Sequence, residues 1–133
     1  MNLFKTFAFA LIGLFTFTAA NASNFNTDDK VTLKAREIVA KAAPDDWKAY
    51  AQAAAKCVSR NKNMAEAIQW IDKSIAIQAT AYNHDIKGDY YIKNNLPEKA
   101  MEYYIKALDL GRTELNFDAS EIQEKLMKIR NTR

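Results

Sequence analysis

His84 is the single histidine of the chain; it stands next to Asp85 and just over one helical turn before Asp89. An imidazole with two carboxylates is the kind of set from which a metal site or a general base is assembled. Cys57, the only cysteine, is the one residue of this chain with the makings of a strong nucleophile. The spacing supports none of these chemistries. Metal motifs need further His or Cys ligands at fixed intervals, and this chain offers no second histidine. A catalytic cysteine needs a base beside it, and Cys57 lies within Ala53-Ala54-Ala55-Lys56-Cys57-Val58, where a thiol acts as a small apolar filler. No glycine-rich phosphate loop is present. The sequence therefore predicts no catalytic residue, no metal and no cofactor, and a protein that is not an enzyme.

The elements that must carry these residues are helices. After the first 22 residues only two Gly and two Pro remain, alternating β-branched runs are absent, and Ala, Lys, Glu, Gln, Leu and Met are abundant. Val31, Ala35, Ile38, Val39 and Ala42 repeat at the spacing of one buried helical face, predicting a first helix over about 28–42. Pro44 stops it and suits the opening turn of a second helix over about 45–60. Asn63…Glu66, Asn95…Glu98 and Asp118…Glu121 read as capping boxes that open a third, a fifth and a sixth helix. A fourth helix is predicted over about 81–93, and Gly111 is expected to close the fifth in a left-handed conformation. The sixth should bury Ile122, Leu126 and Ile129.

The N-terminus has a different character. Lys5 precedes an uncharged apolar run from Thr6 to Ala20, and Ala20-Asn21-Ala22 has the small-x-small pattern of a signal-peptidase site. The run is 15 residues long, short of the ~20 needed to span a bilayer. Residues 1–22 are therefore expected to be a secretory signal peptide, cleaved after Ala22, which places the mature protein in a bacterial periplasm or outside the cell without stable membrane insertion. Of the 19 Lys and Arg one leaves with the signal, so 18 face 16 Asp and Glu in the remaining 111 residues. The two signs alternate along the chain, which argues against nucleic acid as a partner. A lone cysteine in an oxidising compartment forms no internal disulfide, so packing alone must hold the core.

Two helix pairs match at an offset of 33 residues: Ala55 falls on Gly88, Val58 on Tyr91, Ala67 on Ala100, Trp70 on Tyr103, Ile71 on Tyr104 and Ser74 on Ala107. A fixed period in the thirties with two helices per period is the mark of stacked helical hairpins. Gly88, Tyr91, Ala100, Tyr104 and Ala107, with the weaker set Ala55, Val58, Ala67, Ile71 and Ser74, resemble the tetratricopeptide repeat family over about residues 46–112. Ala51 and His84 stand where that family has an early Trp, Ala54 and Lys87 where it has Leu, and its closing Pro is missing near Ala79 and Arg112. The resemblance implies an all-α superhelix of short hairpins. Its parts would be a leader and helix over 23–43, two hairpins over 44–112 and a capping helix over 113–133. Small residues at Gly88 and Ala100 would let helices approach while Tyr91 and Tyr104 fill the space beside them.

Members of that family hold extended peptides in a concave groove lined by the first helix of each hairpin. Carried over by spacing, the groove positions include Gln52, Lys56 and Arg60 in the first unit and Tyr82, Asp85, Asp89 and Lys93 in the second. The first stripe is basic and the second acidic, so a carboxylate would seat on Lys56 and Arg60 and a cation on Asp85 and Asp89. Lys56 and Asp89 could instead pair with each other across adjacent helices. His84, in a packing position, should be partly buried. The resulting expectation is an exported adaptor that binds a peptide or a partner protein. The alternative is a structural subunit of an envelope complex that docks through an apolar edge such as Leu126 and Met127; a metal carrier or enzyme built on His84 ranks last.

Overall fold

The computed structural model describes residues 29–132; the expected signal peptide and the leader that follows it lie outside the described residues. The described residues form six α-helices and no strand: α1 (Lys30–Lys41), α2 (Trp47–Arg60), α3 (Met64–Ile77), α4 (Ala81–Lys93), α5 (Pro97–Gly111) and α6 (Ser120–Asn131). None of them is long and apolar enough to cross a membrane.

Helix starts follow side-chain caps in some places and chain geometry in others. The Asp29 carboxylate accepts from Val31 N at 2.9 Å and Thr32 N at 3.1 Å, which opens α1. Pro44 sits in the turn between α1 and α2 and not in the first turn of α2; Asp46 caps α2 instead, accepting from Ala49 N at 3.0 Å. The three predicted capping boxes do not form. Asn63 is itself left-handed, and its amide donates to the Glu66 carboxylate. Leu96 is the N-cap of α5, because Asn95 is left-handed and Pro97 takes the first helical position. Asp118 accepts from Ser120 N at 2.9 Å, one residue too early to cap α6, whose N-cap is Ala119. The box that does form is at α4: Thr80 Oγ1 accepts from Asn83 N at 3.2 Å and Asn83 Oδ1 accepts from Thr80 N at 2.9 Å.

Among the described residues, left-handed turns are made by asparagines, at Asn61, Asn63, Asn95 and Asn116, and by no glycine. The expectation for Gly111 is therefore corrected. It is the last residue of α5, its φ is not positive, and a Cβ there would collide with the Phe117 ring, which folds back onto it from the following loop.

Consecutive helices pack side by side, and α2 also packs against α4. Short connections at 61–63 and 94–96 return the chain, so α2 with α3 and α4 with α5 are antiparallel hairpins. One buried cluster joins Ala35 of α1 with Tyr50, Ala51, Ala54, Cys57 and Val58 of α2, Ala67, Trp70 and Ile71 of α3, and Ile86 of α4. A second joins Ala100, Tyr104 and Ala107 of α5 with Ile122 and Ile129 of α6. Between them, Asn83 is fully buried; its amide donates to Ser74 Oγ at 3.1 Å and Gln78 O at 2.7 Å, and Ser74 Oγ donates to Trp47 O at 2.8 Å. That chain of hydrogen bonds ties α2, α3 and α4 together with no buried polar group left over.

The residues matched at the 33-residue sequence offset are largely internal. Ala67, Ile71, Ala100, Tyr104 and Ala107 are buried, as is Gly88, whose missing side chain leaves room for the Tyr104 ring. Ala55 and Tyr91 are half-buried. Tyr91 stacks on Tyr103 with ring centroids 5.3 Å apart and meets Tyr90 edge-on at 5.5 Å.

Candidate functional site

Three hollows run across α1, α2 and α4 and share their walls. The first, about 340 Å³, lies between α1 and α2 and is lined by Lys30, Val31, Lys34, Lys56, Ser59 and Arg60. The second, about 450 Å³, is lined by Ile38, Gln52, Ala55, Lys56, Ser59 and Tyr82. The third, about 280 Å³, includes Tyr82, Asp85, Glu114, Phe117, Asp118 and Glu121. Lys56 and Ser59 border the first two and Tyr82 the last two, so the three hollows adjoin in a row, termed the furrow. It is basic at the α1 end and acidic at the α6 end.

The groove residues expected from the sequence divide along this furrow. Gln52, Lys56, Arg60 and Tyr82 line its open part, and Asp85 lines the acidic end. Asp89 lines none of these hollows but lies within ion-pair distance of Lys125 of α6, and Lys93 is exposed and lines none of them. Lys56 and Asp89 do not pair with each other; Asp89 accepts from Tyr104 Oη at 2.7 Å.

The acidic end already holds a cation from this chain. Lys125 Nζ of α6 lies 2.9 Å from Asp85 Oδ1, 3.0 Å from Asp89 Oδ1 and 3.2 Å from Glu121 Oε1. Burial opposes the charge on Lys125, but the hydrogen bonds and attraction from Asp85 and Asp89 outweigh it and hold the ammonium above the ordinary lysine value. Burial pushes the Asp85 carboxyl up, and the hydrogen bond from Lys125 offsets part of that rise. Burial and the neighbouring Asp89 carboxylate likewise raise Tyr104, so its phenol stays protonated and donates.

His84 is buried and lines none of these hollows; its ring centroid lies 6.0 Å from that of Tyr103 on α5. Its Nδ1 lies 3.0 Å from Thr80 O and 3.0 Å from Asn83 Oδ1. Both neighbours are acceptors, so Nδ1 carries the proton. Burial lowers its pKa, the Thr80 carbonyl opposes that, and Lys106 and Lys87 lower it further. Neither Asp85 nor Asp89 is among its hydrogen-bond partners. Among the described residues, no group of three or more His, Cys, Asp or Glu is placed to hold a metal ion. Cys57 is fully buried, and burial followed by the charges of Asp29 and Glu66 raises its thiol pKa.

A separate apolar hollow of about 350 Å³ lies between α5 and α6, lined by Met101, Ile105, Leu126, Met127 and Arg130. Met127 is 50% and Ile105 47% exposed there.

No family model, no curated protein and no solved structure matches this chain.

Sequence reasoning missed Lys125, Asn83, Lys30 and Lys34. A signal existed for the two α1 lysines, since Lys30 and Lys34 are four residues apart and share a helix face. None existed for Lys125, which meets Asp85 from 40 residues away.

Proposed function

We propose that this chain is an exported, non-catalytic helical-repeat adaptor that holds a segment of a partner protein along the furrow across α1, α2 and α4. The observation that carries the reading is the row of three adjoining hollows that share Lys56, Ser59 and Tyr82 as walls. A row of open, mixed polar and apolar hollows fits an extended chain better than it fits a compact small molecule. Residues 33 apart, such as Ala67 with Ala100 and Ile71 with Tyr104, share full or near-full burial, in keeping with a tetratricopeptide-like pair of hairpins. The charge order and small-residue exit of residues 1–22 support export to the periplasm or beyond.

Photo-crosslinking tests the proposal. A photoreactive residue at Gln52 or Tyr82 in the full chain, irradiated in producing cells, should give a discrete adduct with a partner. The same residue at Glu102, exposed on α5, should not. Equal, background-level adducts from all three positions would overturn the adaptor reading. The N-terminal residue of the recovered protein tests export separately; Ser23 is expected.

The apolar hollow between α5 and α6 favours a second reading, a structural subunit docked through Met101, Ile105 and Met127. Light scattering of the protein recovered from cells would then show a permanent complex, with no free chain.

A further inference from the structure

We infer that the hollow between α1 and α2 is a carboxylate-reading site that takes the acidic stretch of an extended partner segment. This rests on the furrow proposed above and states what part of the partner enters it.

Four cations line this hollow: Lys30 and Lys34 from α1, and Lys56 and Arg60 from α2. None of their charged groups has an ion-pair or hydrogen-bond partner among the described residues. The nearby carboxylates among the described residues have closer partners elsewhere, although Glu37 also feels the charge of Lys34. Asp29 caps α1, Glu37 pairs with Lys41 at 2.6 Å, and Glu66 pairs with Arg36 at 2.7 Å.

The spacing sharpens the contrast. Elsewhere this chain places Glu four residues before Lys on a helix face, in Glu37–Lys41, Glu102–Lys106, Glu121–Lys125 and Glu124–Lys128. That order is the favourable one, because it pairs opposite charges and suits the helix dipole. At the hollow the same spacing holds like charges, Lys30 with Lys34 and Lys56 with Arg60, and the two pairs face one space. Such an arrangement opposes folding, and an anion drawn from outside relieves it.

Shape and surroundings select the kind of anion. The hollow shares Lys56 and Ser59 with the next, which Gln52 and Tyr82 also line, so a chain seated in it can continue along the furrow. Val31 supplies an apolar patch for the stems of Glu or Asp side chains. At the far end Asp85, Asp89 and Glu121 outnumber Lys125 and repel further acid. The segment is therefore bound in one direction, acidic residues over α1 and α2 and none over α4.

Titration calorimetry on the full chain tests this with four probes: an eight-residue peptide of alternating Glu and Ala, its Lys and Ala counterpart, inorganic pyrophosphate, and phosphatidylglycerol vesicles. The Glu peptide should bind and the Lys peptide should not. Binding should weaken as salt rises from about 50 to about 200 mM. The double variant Lys56→Glu/Arg60→Glu should lose about tenfold or more in affinity. It should melt at the same or a higher temperature than the native chain, which shows that lost binding is not lost folding. Unchanged affinity in that variant, or equal binding of the two peptides, overturns the inference. Pyrophosphate or vesicles binding as tightly as the Glu peptide also overturns it, in favour of phosphate recognition. If the Gln52 and Tyr82 crosslinks persist at full yield in the double variant, the carboxylate site falls and the adaptor stands. If the Glu peptide binds and the crosslinks are absent, the site's preference stands and the adaptor falls.

Discussion

A Cβ placed on Gly88 would lie 3.0 Å from Cζ of Tyr104 and closer still to two other atoms of that ring, so a side chain of α5 fills the space left by α4. The ring is nearly fully buried, and its hydroxyl is fixed by Asp89, so it has nowhere to retreat. Gly88→Ala gains helix propensity of ~1 kcal/mol and loses more through overpacking, for a net destabilisation of about 1–2 kcal/mol in urea unfolding. Gly111→Ala meets the Phe117 ring in the same way, but Phe117 is half-buried and belongs to the loop before α6, so the ring can swing aside and the loss should be smaller. A Gly111→Ala loss equal to that of Gly88→Ala would contradict this account.

Among the described residues Lys125 is the only cation within ion-pair distance of Asp85 and Asp89, and both it and Asp85 are about four-fifths buried as side chains. Lys125→Met should cost about 1–3 kcal/mol, mainly through the carboxylates left uncompensated. Burial already raises the Asp85 carboxyl, and loss of Lys125 raises it further. A group whose folded pKa lies above its unfolded value takes up a proton in the folded state first. The deficit of Lys125→Met should therefore shrink as pH falls through the folded value of Asp85. Thermal melts of both proteins across the acid range check this; a deficit that widens toward low pH would refute it.

His84 titrates with the opposite consequence. Burial holds its folded pKa below the ordinary value, so between that ordinary value of about 6.5 and the lower folded one the unfolded chain binds a proton that the folded chain does not. Stability conferred by the neutral ring is fully present above this window and is lost as pH falls through it. His84→Phe removes the titrating group. Its stability relative to the native protein should rise as pH drops from neutrality into the window, and parallel pH curves for the two proteins would count against the assignment.

The Asn83 side chain ties α4 to α3, and through the Ser74 hydroxyl the link reaches α2. Asn83→Ala unties the Ser74 hydroxyl and the Gln78 carbonyl and leaves a void between the two core clusters. A destabilisation of about 2–4 kcal/mol is expected. Amide exchange should speed up at the start of α4 more than in α6, which shares none of these bonds; uniform acceleration would indicate general loosening instead.

The helices were legible from the sequence because their apolar residues recur at helical spacing, and the fourth was placed at its observed bounds, Ala81–Lys93. The helix starts were less legible. A box motif assumes that its first residue is extended, and Asn63 and Asn95 are left-handed because the turns between antiparallel helices bend there. Asn83 closes the box that forms, yet the motif looks for Glu or Gln at that position. Half of the furrow was readable by repeat spacing, from Gln52 to Asp85. The other half depends on where lone helices land: α1 brings Lys30 and Lys34 to α2, and α6 brings Lys125 to α4. Neither α1 nor α6 lies within the repeating pairs, so no periodicity could place their side chains.

Cys57 sits at zero exposure among Ala53, Ala54 and Val58, with its thiol pKa raised by burial. A thiol in that setting is invisible to alkylating reagents and to disulfide exchange until the first core cluster parts. It is thus a native reporter for breathing: the rate at which it is labelled in the undenatured protein measures how often α1, α2 and α3 come apart, and a ligand seated against α1 and α2 would slow that clock.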